Sequence, residues 1–283
     1  MRQWQVGDVT ITKIVEMEVV GHTRFILSDA LRDAVIGYDW LKPHFMDDAG
    51  NLIMSIHALV IETPDRRIVV DTCIGNDKPR PIAGWDRLQT SFLDDMGEDG
   101  YPPDSIDTVL CTHLDVDHVG WNTRLVDDRW RPTFAGARYL MGRVEFEHWS
   151  TEGDDENQAT VMADSVTPVF DASLVDLVEA DHVVSDEVRL VPTHGQTPGH
   201  VSVLISSRGE EALITGDFLH HPCQMARLDW CSSADTDPAA ALDTRRRVFD
   251  RYADTPTLII GTHFAGATAG RLVSDGDAYR LVV

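Results

Sequence analysis

The chain has 283 residues, 43% of them hydrophobic, and sets 24 Lys and Arg against 47 Asp and Glu for a net charge of −23. A chain of this length buries a sizeable core as one large domain or two small ones, and no apolar run reaches the roughly 20 residues that a membrane-crossing helix needs. The acidic excess repels phosphate backbones and anionic lipid heads, so neither nucleic acid nor a membrane surface is the expected partner.

The opening residues Met1-Arg2-Gln3-Trp4-Gln5-Val6-Gly7 lack the charged-then-apolar pattern of a secretory leader, and a cytoplasmic location is the default expectation. Residues 9–15 alternate as Val-Thr-Ile-Thr-Lys-Ile-Val and predict a strand. Residues 53–62 and 67–71 predict a hairpin around the turn Thr63-Pro64-Asp65-Arg66. An apolar run over 104–112 is followed by a short strand at 138–141, a helix at 144–149 and an acidic, exposed loop at 151–157. Further strands are predicted at 188–192, 201–206, 212–215 and 257–260. Asp237-Pro238 opens a strong helix running to about Tyr252, and residues 271–283 predict a hairpin around Asp275-Gly276-Asp277. With no linker and no repeat, a single domain over 1–283 with two sheets is the simplest organisation. Cys73, Cys111, Cys223 and Cys231 form no C-x-x-C pair and are expected to be reduced and buried.

The chemistry concentrates in Thr112-His113-Leu114-Asp115-Val116-Asp117-His118-Val119-Gly120. Residues two apart in an extended chain point the same way, so His113 and Asp115 can reach one point, and Asp117 and His118 another as the chain turns. Buried together, these side chains need a cation; the bland alternative is a solvated acidic turn. Three more apolar strands end abruptly in candidate ligands: one runs into Thr193-His194-Gly195-Gln196-Thr197-Pro198-Gly199-His200, one into Gly216-Asp217 and one into Thr262-His263. Sites in strand-based folds sit on loops at such ends.

This order of motifs resembles the metallo-β-lactamase superfamily over most of the chain. The segments Val70-Asp71-Thr72-Cys73-Ile74-Gly75-Asn76-Asp77, His118-Val119-Gly120-Trp121-Asn122 and Gly216-Asp217-Phe218-Leu219-His220-His221-Pro222 are similar to the branch of lactonases and methyl-parathion-type hydrolases. The resemblance implies an α/β fold of the αββα type, two mostly antiparallel or mixed sheets flanked by helices, with one or two divalent metal ions per chain. Zinc is the first expectation, with manganese or iron as alternatives.

Carried over by position, Asp117, His118 and His263 form one metal site and Asp217 bridges to the other. That other site departs from the family pattern: only His113 matches, Asp115 stands at the second position, and Gln196 replaces the third histidine. His194, two residues before Gln196, is a candidate substitute. His200 is implied to be structural. Asp117 and His221 are the expected catalytic residues; of His220 and His221, one touches substrate or both serve a structural role. Trp121 and His57 are expected in the core, His148 and His182 at the surface, and Lys78 and Arg80 as surface charges. No Gly-rich phosphate loop or G-x-S-x-G elbow is present.

The implied function is metal-dependent hydrolysis of a small neutral ester, lactone or organophosphate-like molecule by a metal-activated water. The partner is then a small molecule, and assembly as a homodimer is compatible with it. The alternatives are an iron-dependent oxidoreductase of the same fold, motivated by Asp115, and a binding protein with an impaired first site. Because a carboxylate and a neutral amide favour hard cations over zinc, Asp115→His with Gln196→His should raise zinc stoichiometry toward two per chain at equal free zinc. A parent chain that already holds two zinc ions as tightly would contradict that account of the two departures.

Overall fold

The computed structural model describes residues 2–21, 23–151 and 156–283. They cluster into two compact units. The first comprises Arg2–Glu16 and Ile56–Ala180, the second Met17–Ser55 and Asp181–Val283.

In chain order, β1 (Gln3–Val6) and β2 (Val9–Val20) form an antiparallel hairpin, so the strand expected at 9–15 continues to Val20. A one-turn helix α1 (Arg32–Val35) precedes β3 (Ile53–Glu62) and β4 (Arg67–Val70), which pair antiparallel across the expected turn. Then come α2 (Phe92–Glu98), β5 (Thr108–Leu110), and the exposed hairpin of β6 (Thr123–Val126) with β7 (Arg129–Pro132). The apolar run at 104–112 yields only the three residues of β5, because Pro102 and Pro103 start a 3₁₀ turn before it. Next are β8 (Arg138–Gly142), α3 (Arg143–Thr151) and α4 (Glu156–Val161). A π-helical turn (Met162–Val166), α5 (Thr167–Asp171) and β9 (Val175–Val178) follow. Of the loop expected at 151–157, Thr151 closes α3 and Glu156 and Asn157 open α4, while residues 152–155 lie outside the described residues.

The last elements are β10 (Val188–Pro192), β11 (Val201–Ser207), β12 (Glu210–Ile214), α6 (Cys223–Ala226), α7 (Pro238–Tyr252), β13 (Leu258–Ile260), β14 (Ala269–Asp275) and β15 (Ala278–Val282). Seven strands form one sheet in the order β1-β2-β3-β4-β5-β8-β9, and six form another, β10-β11-β12-β13-β14-β15. Among the described residues no helix is long and apolar enough to cross a membrane.

Both sheets are mixed, and the parallel pairings matter most. In the first unit β4, β5, β8 and β9 run parallel, with Val70 opposite Leu110. In the second, β12 runs parallel to β13, with Ile214 opposite Ile260. Chains leaving parallel neighbours emerge side by side, so each pair delivers two loops to one sheet end.

Helix α7 shows how sequence sets the second unit's core. The Asp237 side chain accepts the N–H groups of Ala239 and Ala240, and Pro238 needs no donor at the first turn. Ala241, Thr244, Arg245, Val248, Phe249 and Tyr252 form its buried stripe. Phe249 lies in a cluster that includes Phe45, Leu213, Phe218, Ile259 and Phe264.

Lys78 and Arg80 are not the surface charges expected from sequence. Both are buried around Asp164, which the π-helical turn presents. Arg80 donates two hydrogen bonds to the Asp164 carboxylate, at 2.7 and 2.9 Å. The Lys78 ammonium lies 3.5 Å from the same carboxylate, donates to Thr123 Oγ1 at 2.8 Å and sits 3.8 Å from the Trp130 ring centroid. Removing the anion strands two buried cations, so Asp164→Ala should cost about 3–5 kcal/mol in urea unfolding. Burial pushes the Lys78 ammonium from 10.5 down to about 7, with Asp164 opposing the shift. The unfolded chain then binds more protons in the interval between those values, and the Lys78 contribution to stability rises with pH across it. Lys78→Met should flatten that rise in thermal midpoint between about pH 7 and pH 10; an unchanged profile would contradict it.

Candidate functional site

Each unit carries a cluster of imidazoles and carboxylates just beyond the carboxyl ends of its parallel strands. In the first unit, Asp71 follows β4 and its N–H donates to the Leu110 carbonyl at 2.9 Å. Its φ of 55° turns the buried carboxylate toward the chain leaving β5. There Oδ1 accepts the Thr112 N–H at 2.8 Å, and Oδ2 accepts the Thr112 hydroxyl at 2.8 Å. The same Oδ2 lies 3.0 Å from His118 Nδ1. With its own proton given to Asp71, the Thr112 oxygen is left to accept from His113 Nδ1, 3.0 Å away. The network thus assigns the proton of both rings to Nδ1 and a lone pair to Nε2.

The chain between the two histidines makes a turn, closed by the His118 N–H on the Asp115 carbonyl at 3.0 Å. It brings the imidazoles together with centroids 3.9 Å apart and planes tilted by 47°. His113 Nε2 faces Asp115 Oδ2 at 3.5 Å and His118 Nε2 faces Asp117 Oδ1 at 3.6 Å. These are the two pairings that the spacing in sequence anticipates.

In the second unit, Thr215 leaves β12 with its N–H on the Ile260 carbonyl, and its hydroxyl oxygen accepts the Thr262 N–H. Asp217 and His263 therefore emerge together. The Asp217 N–H donates to His200 Nε2 at 2.7 Å, and His200 Nδ1 is 3.0 Å from the Thr193 carbonyl. Gly216 is required between them: its φ is 59°, and a Cβ there would lie 2.6 Å from His200 Nε2. His263 Nδ1 donates to the Ser55 carbonyl at 3.1 Å, so Nε2 again carries the lone pair, 3.2 Å from both Asp217 oxygens. His220 Nε2 is also 3.2 Å from Asp217 Oδ2, and its ring lies parallel to that of His263.

Lone-pair nitrogens facing carboxylate oxygens repel one another unless a cation lies between them, either a proton on each ring or a shared metal. Donor separations of 3.2–3.6 Å match the edge of a tetrahedron around zinc, about 3.3–3.5 Å for ordinary ligand distances. The donor set of imidazole nitrogen and carboxylate oxygen fits a divalent cation.

Two site expectations need correction. His194 is exposed whereas Gln196 is buried. Between them Gly195 adopts a φ of 131° where the chain passes α7, and a Cβ there would sit 2.2 Å from the Ala241 nitrogen. The chain is not extended at that point, so positions two apart do not share a side. His221 does not stand ready for catalysis. Its Nε2 donates to the Phe45 carbonyl at 2.9 Å and its Nδ1 accepts the Cys223 N–H at 3.1 Å. Burial lowers its pKa to about 4, which keeps the ring neutral. His220 is the neighbour that reaches Asp217. His200, expected to be structural, holds the Asp217 backbone. Trp121 is buried, stacked on Phe92, and donates to Glu16. Asp71 is the residue that sequence reasoning passed over. Its signal was the one used for Asp217, a carboxylate just past an apolar strand.

A family model described as the metallo-beta-lactamase superfamily matches residues 53–263. Three solved structures illustrate the likeness. One is described as hydrolase AbOPH in the beta lactamase superfamily, at 24% identity over 99% of this chain and 96% of that one, with a TM-score of 0.81. Another is AidC, described as a dizinc quorum-quenching lactonase in complex with the product N-hexanoyl-L-homoserine, at 17% identity, 99% and 96% coverage, and a TM-score of 0.80. The third is a probable metal-dependent hydrolase from Staphylococcus aureus, at 19% identity, 99% coverage of both chains and a TM-score of 0.78.

The seat of Asp217 is testable without any ligand. His200→Ala leaves a buried N–H without its acceptor and should lower stability by about 1–3 kcal/mol. Gly216→Ala should cost more than Gly209→Ala, since both glycines have positive φ but only Gly216 is crowded. Equal losses in urea unfolding would contradict the crowding.

Proposed function

We propose that this chain, which belongs to the metallo-β-lactamase superfamily, is a metal-dependent hydrolase acting on a small neutral ester, lactone or organophosphate-like molecule. One observation carries the proposal: in both units imidazoles have Nδ1 engaged and Nε2 turned on a carboxylate. In the first unit Asp117 and His118 are assigned to hold a cation, and in the second unit Asp217 and His263 are. His113 and Asp115 offer the first unit a further donor pair, suited to a harder cation. A divalent cation held by such donors supplies Lewis acidity and brings the ionisation of water toward neutral pH.

The chain's own residues prepare that chemistry. Asp71 and the Ser55 carbonyl keep the protons of His118 and His263 on Nδ1. Asp217 keeps its carboxylate in place through His200. His220, not His221, is the ring placed beside Asp217. The acidic surface suits a neutral or cationic substrate. Support for a lactone or ester comes from the likeness to lactonases such as AidC.

Metal analysis of protein purified without added metal tests this directly. At least one zinc, manganese or iron per chain is expected, with activity on neutral lactones or esters and none on RNA or DNA. His118→Ala and His263→Ala should each lower bound metal and abolish hydrolysis. Full metal content and activity in both variants would overturn the assignment. Stoichiometric iron with oxygen consumption would point instead to an oxidoreductase, and a metal-free chain to a binding protein.

A further inference from the structure

Leu114 is the one residue between His113 and Asp115, and helices hold both of its peptide groups. Its N–H donates to Glu145 Oε1 at 3.2 Å, and its carbonyl accepts from Gln158 Nε2 at 2.8 Å. Glu145 lies on α3 and Gln158 on α4, and both are buried. The Leu114 side chain itself is wholly enclosed. The same Oε1 accepts the indole N–H of Trp149, one helical turn on, at 2.7 Å. A carboxylate is costly to keep inside a protein. Here it takes a backbone donor that a loop between two candidate ligands would otherwise leave to water or to another partner.

We infer that Glu145 and Gln158 are positioning residues for the His113–Asp115 donor pair, an inference resting on the metal-binding reading above. The peptide planes on either side of Leu114 set the relative direction of the His113 and Asp115 side chains. A donor pair must hold its geometry within about half an ångström to bind a cation well. By gripping the N–H from one helix and the carbonyl from the next, the two side chains stop those planes from rotating. They thereby set the affinity of this half-site for a hard divalent cation without touching it.

Competition against a chromophoric chelator, with manganese and zinc alone as probes, tests this on the full chain. Glu145→Leu and Gln158→Leu should each weaken binding of the more weakly held cation by about 10–100-fold. Glu145→Gln keeps an acceptor oxygen and should stay within about threefold of the parent, a rescue scaled to the loss of one neutral hydrogen bond's margin. Val169→Ala, a buried change on α5 that removes neither hydrogen bond to Leu114, controls for lost stability and should leave affinity unchanged. Should Glu145→Leu fail to fold, Gln158→Leu decides. Parental affinity in the Leu variants, or an equal loss in Val169→Ala, would overturn the positioning role alone. A parent chain that binds neither cation would overturn the metal-binding reading and this one with it.

Discussion

A nitrogen lone pair aimed at a carboxylate oxygen is an arrangement that a protein interior tolerates only with a cation nearby, and the chain produces it in both of its units. It does so by the same means each time: an acceptor claims the proton of Nδ1 and leaves Nε2 bare. For His118 the acceptor is the Asp71 carboxylate, for His113 the Thr112 hydroxyl, and for His263 the Ser55 carbonyl. Much of the local structure exists to keep those acceptors where they are. The left-handed backbone at Asp71 and the crowded glycine at 216 are both parts of that support.

The fold supplies the rest. The chain has the metallo-β-lactamase fold, with mixed sheets flanked by helices in the α/β class. Within mixed sheets, short parallel pairings place two loops at one end: 71–73 beside 111–118 in the first unit, 215–217 beside 261–263 in the second. Each pairing spans only three residue pairs, so a modest amount of regular structure determines where the chemistry-bearing side chains lie.

Much of this was legible in the sequence because it is local. Hairpin β3–β4, helix α7 with its Asp237 cap, and the terminal hairpin all announce themselves within a dozen residues. So do the strand ends at His113, Asp217 and His263. What escaped depends on contacts far along the chain. Asp164 lies 84 residues from Arg80, and nothing near Lys78 marks it as buried. The β6–β7 hairpin is mostly exposed and lacks an alternating apolar signal. His194 does not share a side with Gln196, because the chain is not extended at Gly195 between them, where φ is 131°. His220 and His221 are adjacent and chemically identical; the Phe45 carbonyl and the Cys223 N–H separate a ring fixed in the core from one beside Asp217.

The acceptors behind the imidazoles differ in a way that bears on how such a site changes over generations. His263 leans on a main-chain carbonyl, which every amino acid at position 55 would supply. His118 leans on the side chain of Asp71, which a single substitution removes. The acceptor behind His118 is therefore open to loss by one substitution, while the acceptor behind His263 is insulated from it. Divergence in the acceptors behind these rings should then accumulate at Asp71 and Thr112 and leave the Nδ1 partner of His263 constant whatever residue stands at position 55.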